Sequence, residues 1–90
     1  MPRVSYNGLV ADVREEDLEA AIAHLSTCPR AERKAILASV KKALGRAVRL
    51  METGSPFPEA LLRDTANDIG LWFAGEVLAG RAEQYRVNMQ

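Results

Sequence analysis

The sequence predicts a mainly α-helical fold, a three-helix bundle-like domain with a minor two-stranded β element formed from the N- and C-terminal segments. Apolar residues recur at spacings of three and four in three long segments, which is the pattern of amphipathic helices. Proline and glycine stand between these segments, and both ends of the chain alternate apolar with polar residues. Ninety residues, of which 48% are apolar, suffice for one domain over residues 1–90 with a thin core.

The N-terminal segment predicts an extended stretch, a tight turn and then the first helix. Asn7 and Gly8 both tolerate the positive φ that a two-residue turn requires. Asp12 is expected to cap a helix over residues 13–26, with Glu15 completing an Asp-based variant of the capping box. The apolar stripe of this helix consists of Leu18, Ala21, Ile22 and Leu25.

The second helix is predicted over residues 29–52 and is about 35 Å long at a rise of 1.5 Å per residue. Pro29 favours a start at the first helical position, where its missing N–H would have no partner. Gly54 fits the left-handed residue that follows many helix ends. The apolar side of this helix consists of Ile36, Leu37, Val40, Leu44, Ala47, Val48 and Met51.

The third helix, predicted from Pro58 to about Arg81 or Glu83, carries two apolar stripes on nearly opposite sides. The first stripe consists of Leu62, Ala66, Ile69, Phe73 and Val77. The second stripe consists of Leu71, Gly75, Leu78, Ala82 and Tyr85. The first two helices can cover one stripe, so we expect the second stripe to form the interface of a twofold homodimer. The alternative is a break near Gly70 that turns both halves of the helix toward one core.

The two termini contain short strand-like segments, residues 4–6 and 85–89, in which apolar and polar residues alternate. Segments this short do not persist alone. We expect them to pair with each other, either within one chain or across a dimer. An edge left open by this pairing could recruit a partner by strand addition.

The second helix carries seven basic residues and two acids, although the whole chain has no net charge. Five basic residues share one side in helical projection: Lys34, Lys41, Lys42, Arg46 and Arg49. This side is either a solvated surface partly balanced by the acidic first helix or a binding surface for an acidic protein. Nucleic acid is a third alternative. It is disfavoured because the chain is neutral and no aromatic residue lies among these charges to stack on bases.

The adjacent pair Trp72 and Phe73 provides one more candidate binding residue. Neighbouring helical positions differ by about 100° around the axis, so one ring can face the core while the other does not. Because Phe73 belongs to the first stripe, Trp72 is the candidate partner-binding residue, with simple core packing as the alternative.

Residue types with reactive side chains are few and scattered. His24 and Cys28 stand four positions apart, but nothing in the sequence indicates a substrate pocket beside them, so we expect no catalytic site. One histidine and one cysteine cannot fill a zinc site without carboxylates or a second chain. Asp64 and Asp68 could share a proton if buried, although a solvated face is the simpler interpretation. We therefore expect no metal, no cofactor and no small-molecule substrate.

The sequence alone thus favours a function that depends on contact with another protein. The N-terminus has no long apolar run typical of a signal peptide, no stretch is long enough to span a membrane, and the single cysteine suits a reducing compartment. We expect a cytoplasmic, non-enzymatic regulator, adaptor or inhibitor that self-associates and binds another, possibly acidic, protein. The alternative is a nucleic-acid-binding regulator that uses the basic helix 29–52.

Overall fold

The computed structural model describes residues 2–87 and contains three packed helices behind a short hairpin. The two strands are β1 (Arg3–Tyr6) and β2 (Leu9–Asp12). The three helices are α1 (Glu15–Thr27), α2 (Arg30–Glu52) and α3 (Glu59–Ala79). A single turn of 3-10 helix, Ala82–Tyr85, follows α3. The predicted mainly α fold is confirmed.

The hairpin forms at the predicted turn. Asn7 and Gly8 have φ angles of 48° and 96°, and they join two antiparallel strands in which Tyr6 lies opposite Leu9. Both positive angles belong to the two-residue turn whose twist matches that of the flanking strands. Asp12 does not cap α1 as expected, because its carboxylate instead accepts a hydrogen bond from Arg3 on the partner strand at 3.0 Å.

The C-terminal segment reaches the hairpin by a single bridge, and both strands of the sheet come from the N-terminal segment. Val4 of β1 forms an isolated antiparallel bridge with Arg86, and the Val87 N–H donates to the Arg3 carbonyl at 2.8 Å. Of the predicted strand 85–89, Tyr85 lies in the 3-10 turn and Arg86 forms this isolated bridge, while residues 88–90 lie outside the described residues. Among residues 2–87, pairing of the two terminal segments consists of this contact with β1.

The helix boundaries follow from the residues at their ends. Pro29 and Pro58 stand directly before α2 and α3, where no intrahelical N–H bond is lost. Gly54 and Gly80 have φ angles of 70° and 76°, the left-handed conformation that closes a helix C-terminus. Gly80 therefore ends α3 earlier than the predicted end at Arg81 or Glu83.

The third helix is the centre of the molecule. α1 and α2 both pack against α3, while their contacts with each other are few, and the hairpin and the 3-10 turn also contact α3. α3 continues without a break through Gly70. At Gly75 it approaches α2 so closely that an added Cβ would lie 2.9 Å from Leu37 Cδ1. The two apolar stripes of α3 therefore face different neighbours within one chain.

The core contains the most buried side chain of nearly every strand and helix. The largest fully buried side chains are Phe73, Leu25, Leu44, Ile69 and Val4. They come from β1 and all three helices, so the small domain has one continuous core around α3. This arrangement leaves the outer side of α2 free to face solvent.

Candidate functional site

The most distinctive surface is the basic side of α2. Val40, Leu44 and Ala47 are buried, and they define the side of α2 that faces the core. The opposite side is exposed and presents Lys34, Lys41, Lys42, Arg46 and Arg49, which we call the basic face. At about 100° per residue these five positions span an arc of roughly 140° and a length of about 22 Å.

Between residues 31 and 49, only small, uncharged residues share this arc with the basic residues. Ala31, Ala35, Ala38 and Gly45 lie between the long side chains in helical projection. Of the two acids of α2, Glu32 lies outside the arc, whereas Glu52 lies within it in projection but beyond Arg49, in the last turn of the helix. The basic face is therefore uniform in sign from residue 34 to residue 49, and the one acid on the same side follows it at the end of the helix.

No ion pair among residues 2–87 involves the basic face. Five ion pairs join described residues: Arg3–Asp12, Arg14–Glu16, Arg63–Glu59, Arg81–Glu76 and Arg86–Glu83. None of them links α1 to α2, so the acidic first helix does not balance the basic face by direct contact. This outcome follows from the packing, because each of the two helices rests on α3 instead of on the other.

A cleft of about 250 Å³ opens between α2 and α3 beside the basic face. It is lined by Arg33, Leu37, Gly75, Leu78, Ala79 and Arg81. Leu37 and Lys41 are four residues apart on α2 and are therefore neighbours on its surface, so the cleft adjoins the basic face. Sequence reasoning missed this cleft because its two walls come from different helices.

Arg81 is fixed at the rim of the cleft by a buried carboxylate. Its Nε donates to Glu76 Oε2 at 2.7 Å and its Nη2 donates to Oε1 at 3.3 Å. The hydrogen bond to Glu76, together with the negative charge of that residue, raises the pKa of Arg81. The Glu76 side chain is 7% exposed, so its charge is directed at Arg81 and away from solvent.

The assignment of Trp72 to the partner-binding surface is wrong. Trp72 is 3% exposed and lies between two tyrosine rings, with centroid distances of 4.8 Å to Tyr6 and 4.6 Å to Tyr85. Both pairs are edge-on, the geometry that aromatic rings favour in cores. The reasoning failed because β1 and the 3-10 turn cover the side of α3 that was expected to face solvent.

The second stripe of α3 is largely covered within one chain. Gly75 and Ala82 are buried, and Leu71 and Tyr85 are partly buried against the core. Only Leu78, at 38% exposed, presents much apolar surface. The expectation that this stripe needs a second molecule is therefore wrong, because α2, the hairpin and the 3-10 turn supply the missing cover. A homodimer remains a prediction, but the second stripe of α3 no longer supports it.

The remaining polar candidates lie apart from the basic face. Cys28 Sγ is 4.0 Å from His24 Nε2 at the corner between α1 and α2. Among residues 2–87, no three His, Cys, Asp or Glu side chains lie close enough together to hold a metal ion. Partial burial and the nearby charge of Asp64 raise the pKa of Asp68 on α3.

A second cleft, of about 380 Å³, lies between the start of α1 and the middle of α3. Its lining includes Asp12 and Arg14, which already pair with Arg3 and Glu16. Its other polar lining residues are Asp17 and Asn67, so it combines charges of both signs, unlike the basic face.

Within the described part of the chain, no helix combines the length and apolar character needed to cross a membrane. Comparisons of the chain with protein-family models, with curated proteins and with solved structures found no match. A functional conclusion for this protein therefore has to rest on the geometry of its own surface.

Proposed function

We propose that this protein is a small, non-enzymatic binding protein whose basic face docks onto an acidic surface of another protein. It would act as a regulator, adaptor or inhibitor by occupying that surface. The observation that carries the proposal is that five exposed basic side chains share one side of α2 and none has an ion-pair partner among residues 2–87.

An uncompensated surface of one sign has a physical consequence in solution. Like charges four residues apart on a helix repel each other and destabilise it slightly, and an oppositely charged partner removes this cost. Complementary charges also steer the encounter of two proteins and raise the association rate. A single helix face about 22 Å long is small by the standards of protein interfaces, which favours a transient contact.

The charge distribution favours a protein partner over nucleic acid. The whole chain is neutral, so a long polyanion that extended past α2 would also meet the acidic residues of the other elements. Single-stranded nucleic acid is commonly bound through aromatic side chains that stack on bases. No aromatic residue lies in α2, and the rings of Tyr6, Trp72 and Tyr85 pack on one another instead.

The proposal is tested by reversing charge on the basic face and on a matched pair of exposed arginines. Lys42→Glu with Arg46→Glu changes the face, whereas Arg14→Glu with Arg63→Glu makes the same change in net charge elsewhere. The tagged chain and both variants are used to capture proteins from a host lysate at low salt. We expect acidic proteins to be lost only from the face variant.

Equal capture by both variants would reject the basic face as the binding surface. A mobility-shift assay at about 50 mM salt, where electrostatic binding is strong, tests the alternative. Tight binding of DNA or RNA that disappears only in the face variant would replace the acidic protein by nucleic acid.

A further inference from the structure

We infer that the partner of the basic face is an acidic segment carrying one large apolar side chain, which inserts into the cleft between α2 and α3. This inference rests on the proposed function and names the chemistry of the partner more closely. The cleft is lined by Arg33, Leu37, Gly75, Leu78, Ala79 and Arg81, and we call it the anchor cleft.

The anchor cleft continues the basic face without a gap. Arg33, Leu37 and Lys41 are spaced four residues apart and form one row along α2. The first two line the cleft, and the third belongs to the basic face. A bound segment that lies along the basic face therefore passes the mouth of the cleft.

Four of the six residues that line the anchor cleft are apolar or small, and the cleft has room for a side chain. Gly75 has no Cβ, and α2 approaches it with Leu37, so the walls at this point are backbone and a leucine side chain. Leu78 is 38% exposed and Ala79 is exposed and small. The cleft volume of about 250 Å³ exceeds the roughly 150 Å³ of a cavity that accommodates a benzene ring.

The rim of the anchor cleft carries one arginine on each side, of which Arg81 is paired with Glu76. Arg33 on α2 takes part in no ion pair within residues 2–87. Arg81 on the α3 side uses two of its five N–H donors on Glu76, which holds its guanidinium in place and leaves three donors for a ligand. Carboxylates on either side of an inserted apolar residue would meet these two arginines. The surface therefore complements an acidic segment with an apolar anchor, whereas a nucleic-acid backbone offers no such side chain.

The test uses two short, fluorescently labelled, glutamate-rich peptides that differ only in one central residue, leucine or serine. Each is titrated with the full chain at about 50 mM salt and followed by fluorescence anisotropy. We expect the leucine peptide to bind at least about tenfold more tightly, since burial of a leucine side chain supports a difference of this size.

Three single variants locate the effect. Leu78→Gln and Ala79→Gln change the anchor cleft at exposed positions without altering net charge, and both should reduce the preference for leucine below about threefold. Leu62→Gln is the matched control, because Leu62 lies on the same helix, is 54% exposed and does not line the cleft. It should leave the preference unchanged.

The outcomes separate this inference from the proposed function. Equal affinity for the two peptides, with both lost in Lys42→Glu/Arg46→Glu, would overturn the anchor and leave the basic face standing. A leucine preference that survives Leu78→Gln and Ala79→Gln would also overturn the anchor cleft. Failure of both peptides to bind, or stronger binding of a single-stranded oligonucleotide than of either peptide, would overturn both proposals.

Discussion

Replacing Lys42 by glutamate should stabilise the protein, although the substitution removes part of its proposed binding surface. Lys42 is exposed, and the only charged residue three or four positions from it on α2 is Arg46. This like-charge pair destabilises the helix by about 0.2–0.5 kcal/mol, and a Glu–Arg pair in the same orientation stabilises it by a similar amount. The free energy of unfolding should therefore rise by about 0.4–1 kcal/mol in Lys42→Glu.

Urea unfolding followed by circular dichroism measures this difference without adding salt. The gain should shrink as sodium chloride is added, because ions screen charges at the surface. Lys42→Gln should show about half the gain, since it removes the repulsion without adding an attraction. Lys42→Arg should show no gain, because it keeps the like-charge pair with Arg46.

A control of opposite sign is available on α3. Arg63 lies four residues after Glu59, with 4.0 Å between Nη2 and Oε1, so Arg63→Glu replaces an attraction by a repulsion and should destabilise the protein. If Lys42→Glu lowered the free energy of unfolding instead, Lys42 would have a stabilising partner. The basic face would then not be uncompensated, and the reasoning behind the proposed function would fail.

Three further predictions test the packing around α3. Trp72→Ala should lower the free energy of unfolding by about 3–5 kcal/mol in urea unfolding, as expected for a buried aromatic residue, whereas a loss below about 1 kcal/mol would contradict its burial. Gly75→Leu should destabilise the protein by about 1–3 kcal/mol through a clash with Leu37, and Leu37→Ala should relieve part of that loss; additive effects would contradict the close approach. The pKa of Asp68 is raised above 3.8 in the folded state, so its ionised form opposes folding. Asp68→Asn should therefore stabilise the protein at pH 7, and this gain should shrink as the pH falls through the folded pKa toward 3.8. An equal gain at pH 7 and pH 3 would contradict this origin.

The helices and the turn could be predicted because local chemistry determines them. Asn7 and Gly8 allow the tight turn, Pro29 marks the start of α2, and Gly54 closes its end. The cap of α1 was wrong because Asp12 has a partner on another strand, and no local pattern reveals that pairing. That partner, Arg3, lies nine residues before Asp12 in the sequence.

The surroundings of α3 could not be predicted from periodicity. A helical projection shows which residues share a side of α3, but it does not show how many neighbours surround the helix. Trp72 was expected at the surface and is buried, because β1 and the 3-10 turn lie on its side of α3. The same limit applies to the second stripe, where Gly75 is covered by Leu37 of the same chain.

The candidate site also has features that the sequence predicts and features that depend on tertiary packing. The basic face could be predicted because Lys34, Lys41 and Lys42 belong to one helix, whose geometry fixes their relative directions. The absence of ion pairs to α1 within residues 2–87, and the cleft that joins Arg33 to Arg81, depend on how the helices pack. Those features required the three-dimensional structure.

The most direct test of the central claim is to map the binding surface of a polyglutamate probe by amide chemical shifts in the isotopically labelled full chain. The account predicts that the largest shift changes fall on residues 34–49 of α2, that they saturate with added probe, and that they vanish at high salt. Changes spread evenly over the molecule, or concentrated on α1 or the hairpin, would contradict an exposed and uncompensated basic face as the site of binding.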